Sequence, residues 1–129
     1  MIIKSLLIGL LLIPQIGSAD YYRDNLMDLV YRAERVATNL NMQIRRDMRY
    51  RRWYGSRSLL VAARRVKHDA SALREALELG YPGTQAYQVV ETSYAELSSK
   101  MLFNFRLSGR AHRLLERYRG LLNQISTYY

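Results

Sequence analysis

Cysteine is absent from the 129-residue chain. No disulfide and no thiolate-bound metal can hold it, so the fold must rest on packing alone. Proline occurs twice and glycine seven times. A loop-rich or many-stranded architecture needs more turn-forming residues than that, whereas long helices need few. Phenylalanine occurs twice and tryptophan once, so aromatic packing falls to eleven tyrosines, whose hydroxyls each need a partner or an exit to water. Lysine is confined to Lys4, Lys67 and Lys100. Positive charge is carried almost wholly by arginine, whose planar fork meets phosphate or carboxylate bidentately. No apolar run reaches the ~20 residues that a membrane-spanning helix requires.

Catalytic vocabulary is missing as well. There is no glycine-rich phosphate loop, no nucleophile elbow and no triad spacing. The two histidines, His68 and His112, have no Glu-x-x-His or cysteine partner, which excludes a di-iron bundle. No histidine follows His112 to bind haem late in a last helix. Glu75 and Glu78 stand three apart on a helical face, a spacing for solvent contact rather than for chemistry. The expectation is a non-enzymatic protein with no catalytic residue, no metal and no cofactor.

What is present begins with an address. The chain opens MIIKSLLIGLLLIPQIGSAD. Lys4 supplies a short positive region, residues 5–13 an apolar one, Pro14 a break, and Gly17-Ser18-Ala19 the small residues that a signal peptidase reads. The pattern predicts a cleaved secretory signal over residues 1–19 and a single helical domain over 20–129, exported to the periplasm or secreted.

From there on, apolar residues recur at alternating spacings of four and three. The stripes are Tyr22, Leu26, Leu29, Ala33, Val36 and Leu40; Leu59, Ala63, Val66, Ala70, Leu73 and Leu77; Tyr87, Val90, Tyr94, Leu97 and Met101; and Ala111, Leu115, Tyr118, Leu122 and Ile125. Each falls on one face of a helix that packs at a shallow angle. Four such stripes predict an all-α, up-down-up-down four-helix bundle. Gly80-Tyr81-Pro82-Gly83 is a strong stop, with Thr84 as the next N-cap; Gly55-Ser56 is a weaker one, with Ser56 or Ser58 as cap. At Ser108-Gly109 the register can run straight through, with Asn104 and Ser108 at seam positions. The alternative is therefore three helices with a long C-terminal one.

Charge is unevenly distributed. The chain carries +9. Residues 44–67 hold nine basic groups against Asp47 alone, and residues 103–129 hold five arginines against Glu116. Residues 20–43 and 68–102 are net acidic. Folding up-down-up-down brings the two basic blocks to one end and the two acidic blocks to the other. The tip of the basic end is QIRRDMRYRRWYG, residues 43–55. Wound as a helix, it places Arg45, Arg49 and Arg52 on one face, Ile44 and Met48 on a second, and Tyr50, Trp53 and Tyr54 on a third. An arginine run on a helix is ordinarily just a solvated face. Concentrated at one pole beside aromatic rings, it suits an anionic, partly apolar surface, where guanidinium groups take phosphates and rings settle at headgroup level.

The candidate binding residues are Arg45, Arg46, Arg49, Arg51, Arg52 and Arg57, with Tyr50, Trp53 and Tyr54 beside them. Arg110 and Arg113 join them from the opposite turn. The expected partner is an anionic envelope component, with peripheral membrane contact, or an acidic protein. Nucleic acid is set aside for an exported protein, although the charge alone would bind it non-specifically. Residues 40–48, LNMQIRRDM, come nearest to the LTxxQ motif of periplasmic stress chaperones but are not that motif: Asn41 stands where threonine is expected and Gln43 comes one residue early, so a chaperone role is an analogy only. A chaperone or adaptor that holds protein clients is the alternative function, and a structural protein that self-associates pole to pole is a third.

Overall fold

The four stripes become four helices. The computed structural model describes the backbone of residues 2–50, 57–102, 104 and 106–129, and the side chains of these from Tyr21 onward except Tyr50. The helices are α1 (Ile2–Tyr50), α2 (Arg57–Glu78), α3 (Thr84–Leu102) and α4 (Gly109–Ser126). The residues read as a signal belong to the first part of α1, and their side chains lie outside the described residues. The backbone of α1 runs on through Pro14.

Side-chain bonds fix the direction of each helix. At one end an Arg23 Nη donates to the Leu77 carbonyl (3.1 Å) and Tyr129 Oη to the Pro82 carbonyl (2.9 Å). At the other end Asp47 meets Ser108. The starts of α1's packed part and of α3 thus share an end with the C-termini of α2 and α4, which is the up-down-up-down order.

The three-helix alternative is not what forms. Asn104 and Ser108, the two polar seam residues, both turn their side chains on the backbone. Asn104 Oδ1 accepts from Arg106 N (3.2 Å), and Ser108, in extended conformation, accepts from Ala111 N (3.2 Å) as the N-cap of α4. Short polar side chains offer the backbone these partners in place of a helical turn, so the helix stops and restarts.

The other break is set by glycine. Gly80 at φ +90° closes α2, with Tyr81 N bonded to the Ala76 carbonyl (2.9 Å) and Gly80 N to that of Leu77 (3.1 Å), the paired bonds of a left-handed helix end. Gly83, at φ +79°, has no room for a side chain: a Cβ would lie 2.8 Å from Tyr129 Oη and 3.1 Å from methyls of Leu73 and Leu77. Its carbonyl accepts from Tyr87 N (2.8 Å), so Gly83 is the N-cap and Thr84 the first helical residue. Ser58 lies inside α2, and Ser56 lies outside the described residues.

The core follows the stripes closely on α2, α3 and α4, where of the expected residues only Tyr94 is less than buried. On α1 the register needs correction. Tyr22 is exposed and Leu26 and Leu29 only half-buried, while Val30, Ala37 and Ile44 are buried beside Ala33, Val36 and Leu40. Two adjacent columns of α1 face inward because α1 packs against both α2 and α4, and a helix between two neighbours buries a wider arc than a two-helix seam. The two halves of the bundle are spaced differently. α1 and α2 bring buried alanines (Ala33 and Ala37; Ala62, Ala63 and Ala70), which let axes approach. α3 and α4 touch least along their backbones and are bridged by tyrosines. Tyr94 and Tyr118 lie 6.0 Å apart between ring centres, and Tyr87 stacks on Tyr129 at 4.7 Å.

Candidate anion-binding pole

Beyond Leu40 the four-three count on α1 continues through Gln43 and Asp47, polar residues where apolar ones stood before. The helix does not leave the bundle there. Ile44 is fully buried, Met48 half-buried, and Asp47 only 6% exposed. A buried carboxylate is costly unless its oxygens are hydrogen-bonded. Asp47 Oδ2 accepts from Ser108 N (2.9 Å) and Ser108 Oγ (2.7 Å), and Oδ1 accepts from Gln43 Nε2 (2.8 Å). Ser108 Oγ in turn accepts from Ala111 N. The carboxylate therefore sits at the positive end of α4, where backbone donors and helix dipole both favour an anion. One side chain on α1 fixes both where α4 begins and where it docks.

This arrangement decides the state of the arginines around it. The acceptors of Asp47 face inward and are engaged, and among the described residues no arginine pairs with this one carboxylate of the 44–67 block. Other acids are engaged elsewhere. Arg74 bridges Glu34 (2.6 Å) and Glu78 (2.9 Å), Arg65 pairs with Glu96 (2.9 Å), and Arg32 with Asp28 (3.1 Å). Arg45, Arg46 and Arg49 are exposed on the last turns of α1, Arg57 on the first turn of α2, and Arg110 and Arg113 on the first turns of α4. The Asp47–Ser108 bonds bring the α1 and α4 groups to the same end. Among the described residues none of these six arginines has a carboxylate partner. Tyr50's side chain, Arg51, Arg52, Trp53 and Tyr54 lie outside the described residues.

No protein-family model, no curated protein and no solved structure matches this chain. The pole must therefore be read from its own geometry.

Two features of that geometry were not singled out from the sequence. One is the Gln43–Asp47–Ser108 lock. Its signal was available: the same count that placed Asn104 and Ser108 on the α4 side of the seam places Gln43 and Asp47 on the α1 side, and polar seam positions seek one another. The other is a cleft of about 420 Å³ between α1 and α4, lined by Asn39, Arg110, Arg113, Leu114 and Arg117. Arg117 stands four residues beyond Arg113, on the same helical face.

The opposite end has a different chemistry. A cleft of about 520 Å³ is lined by Tyr22, Tyr81, Tyr128 and Tyr129 among others, and Leu79 and Tyr81 are exposed beside it. Among the described residues no helix is long and apolar enough to cross a membrane, and no three acidic or histidine side chains gather to hold a metal ion.

Proposed function

We propose that this chain is an exported, non-enzymatic helical bundle that docks through its arginine-rich pole on an anionic envelope component or an acidic protein. The observation that carries this reading is the sequestration of Asp47. The pole's own carboxylate is spent on capping α4, and among the described residues the arginines around it have no carboxylate partner. Like charges four residues apart, as at Arg45 and Arg49 or Arg113 and Arg117, cost a helix roughly 0.2–0.5 kcal/mol per pair. Holding such a cluster without counter-charge makes sense where an external anion supplies it.

Binding of the chain from residue 20 onward to anionic and to neutral vesicles tests the reading. Binding should require the anionic lipid and weaken steeply with ionic strength. Changing Arg45, Arg49 and Arg52 together to glutamine should weaken it by roughly 1 kcal/mol per charge removed. Equal binding to neutral vesicles, or indifference to salt, would overturn it. A second reading, the holding of apolar protein clients, draws support from the exposed Tyr21, Tyr22, Leu79 and Tyr81 at the other end. Capture of an unfolded client that persists at high salt would favour that reading instead.

A further inference from the structure

Resting on that reading, we propose that the cleft between α1 and α4 is a seat for one phosphomonoester group, so that the pole selects a terminal phosphate from other anions. Arg110, Arg113 and Arg117 follow one another at spacings of three and four. At 1.5 Å rise and 100° per residue they span roughly 10 Å of α4 within a sector of about 60°. Asn39 closes the opposite wall from α1, and its carboxamide can donate where a guanidinium does not reach. Leu114 supplies the apolar part of the lining. A volume of about 420 Å³ lies within the range of small-molecule sites and leaves room for a glycerol or sugar unit behind the phosphate.

Charge argues for the monoester. A terminal phosphate carries about −1.5 to −2 near neutral pH and presents three acceptor oxygens; a diester carries one charge and two free oxygens. Three arginines with no carboxylate partner among the described residues match the first better. The nearest carboxylate in sequence, Glu116, is turned to Arg119 at 3.6 Å. The amides at the start of α4 are not the binding element, because Ser108 and Asp47 already occupy that end. The α1 wall adds to the field: Arg35, Asn39, Met42 and Arg46 fall on one face at spacings of four, three and four, and all four are exposed.

The test compares phosphatidylcholine vesicles containing phosphatidic acid with vesicles containing phosphatidylglycerol, matched in zeta potential, using the chain from residue 20 onward. The seat predicts binding roughly tenfold tighter to phosphatidic acid, the gain of one charge-assisted hydrogen bond. Arg113→Gln with Arg117→Gln should erase that preference. Arg45→Gln with Arg49→Gln removes as much charge and should preserve it. Glycerol 3-phosphate, titrated alone and against the vesicles, separates the sources. Displacement of the protein assigns the seat to free and lipid-borne monoesters alike; preference without displacement assigns it to the lipid. Equal binding to both lipids, with no uptake of glycerol 3-phosphate, would overturn the seat and leave the docking pole standing. Failure to bind any anionic vesicle, with no uptake of glycerol 3-phosphate, would remove the seat and the docking of the pole on a lipid surface together.

Discussion

Asp47 shows at the scale of one residue how a buried charge can organise a surface. Its three accepted hydrogen bonds reach across 61 residues of sequence to Ser108 and four to Gln43. Asp47→Ala would take the acceptor from three part-buried donors and remove the anion from the end of α4. Hydrogen bonds to charged groups are worth ~1.5–3 kcal/mol, and stranding their partners adds to that, so a loss of about 3 kcal/mol in urea unfolding is expected. Asp47→Asn keeps the shape but turns an amide toward donors, and should fall between. A fully stable Asp47→Ala would mean that the pole is not pinned here. A count of apolar residues is blind to such a pair, because its two halves read separately as defects in two stripes. Only together do they read as a contact.

At the scale of elements, the helices and their order were legible because nearly every stripe kept a strict four-three spacing and glycine or serine marked the breaks. The register of α1 was not. Leu29 and Val30 are adjacent apolar residues, and only the position of α4 decides which turns inward. Leu40→Asp should therefore unfold the bundle, since Leu40 is wholly buried and an unpaired buried carboxylate costs several kcal/mol. Leu29→Asp, on a half-buried side chain, should leave a folded protein of reduced stability by circular dichroism. The tyrosine-spaced α3–α4 seam makes a second prediction. The Tyr118 hydroxyl is buried and finds no hydrogen-bond partner among the described residues. Burial, with a further push from the Asp69 charge, raises its pKa above the ordinary 10.0; burial and the nearby Glu91 carboxylate do the same for Tyr87, whose hydroxyl donates to the Leu122 carbonyl (3.4 Å). A raised pKa means that the folded state holds the proton more tightly. Stability is whole below 10.0 and is lost as pH climbs beyond it toward the folded values. A steep step in the tyrosinate absorbance, contributed by the buried tyrosines, should therefore appear above pH 10, together with loss of helical dichroism. Tyr118→Phe should shift that step to higher pH at little cost near neutrality, since removing an unpartnered hydroxyl is close to neutral. An unshifted step would place the alkaline transition elsewhere.

At the scale of the whole molecule, the described residues are unevenly charged along the bundle: exposed arginines without a carboxylate partner crowd one end, while the Arg74–Glu34–Glu78 bridge and a tyrosine-lined cleft lie toward the other. The uneven charge could be read in the sequence, because alternating helix direction sorts four charge blocks into two ends without any knowledge of contacts. The cleft could not, since it depends on how far α1 and α4 stand apart. If the exposed arginines exist to meet an external anion, they are a burden on the free protein and should behave as one. Raising sodium chloride from ~20 to ~300 mM shortens the screening length from roughly 20 Å to under 10 Å, and thermal unfolding of the free chain should move upward as self-repulsion is damped. Arg45→Gln, Arg49→Gln and Arg113→Gln combined should match or exceed the wild-type midpoint at low salt, because exposed pairs contribute only ~0–1 kcal/mol, and should respond less to added salt. If the triple variant instead melts lower at both salt concentrations, the guanidinium groups are fastening helix ends together. The pole would then be a structural clamp, and a docking role would have to be sought at the tyrosine-lined end.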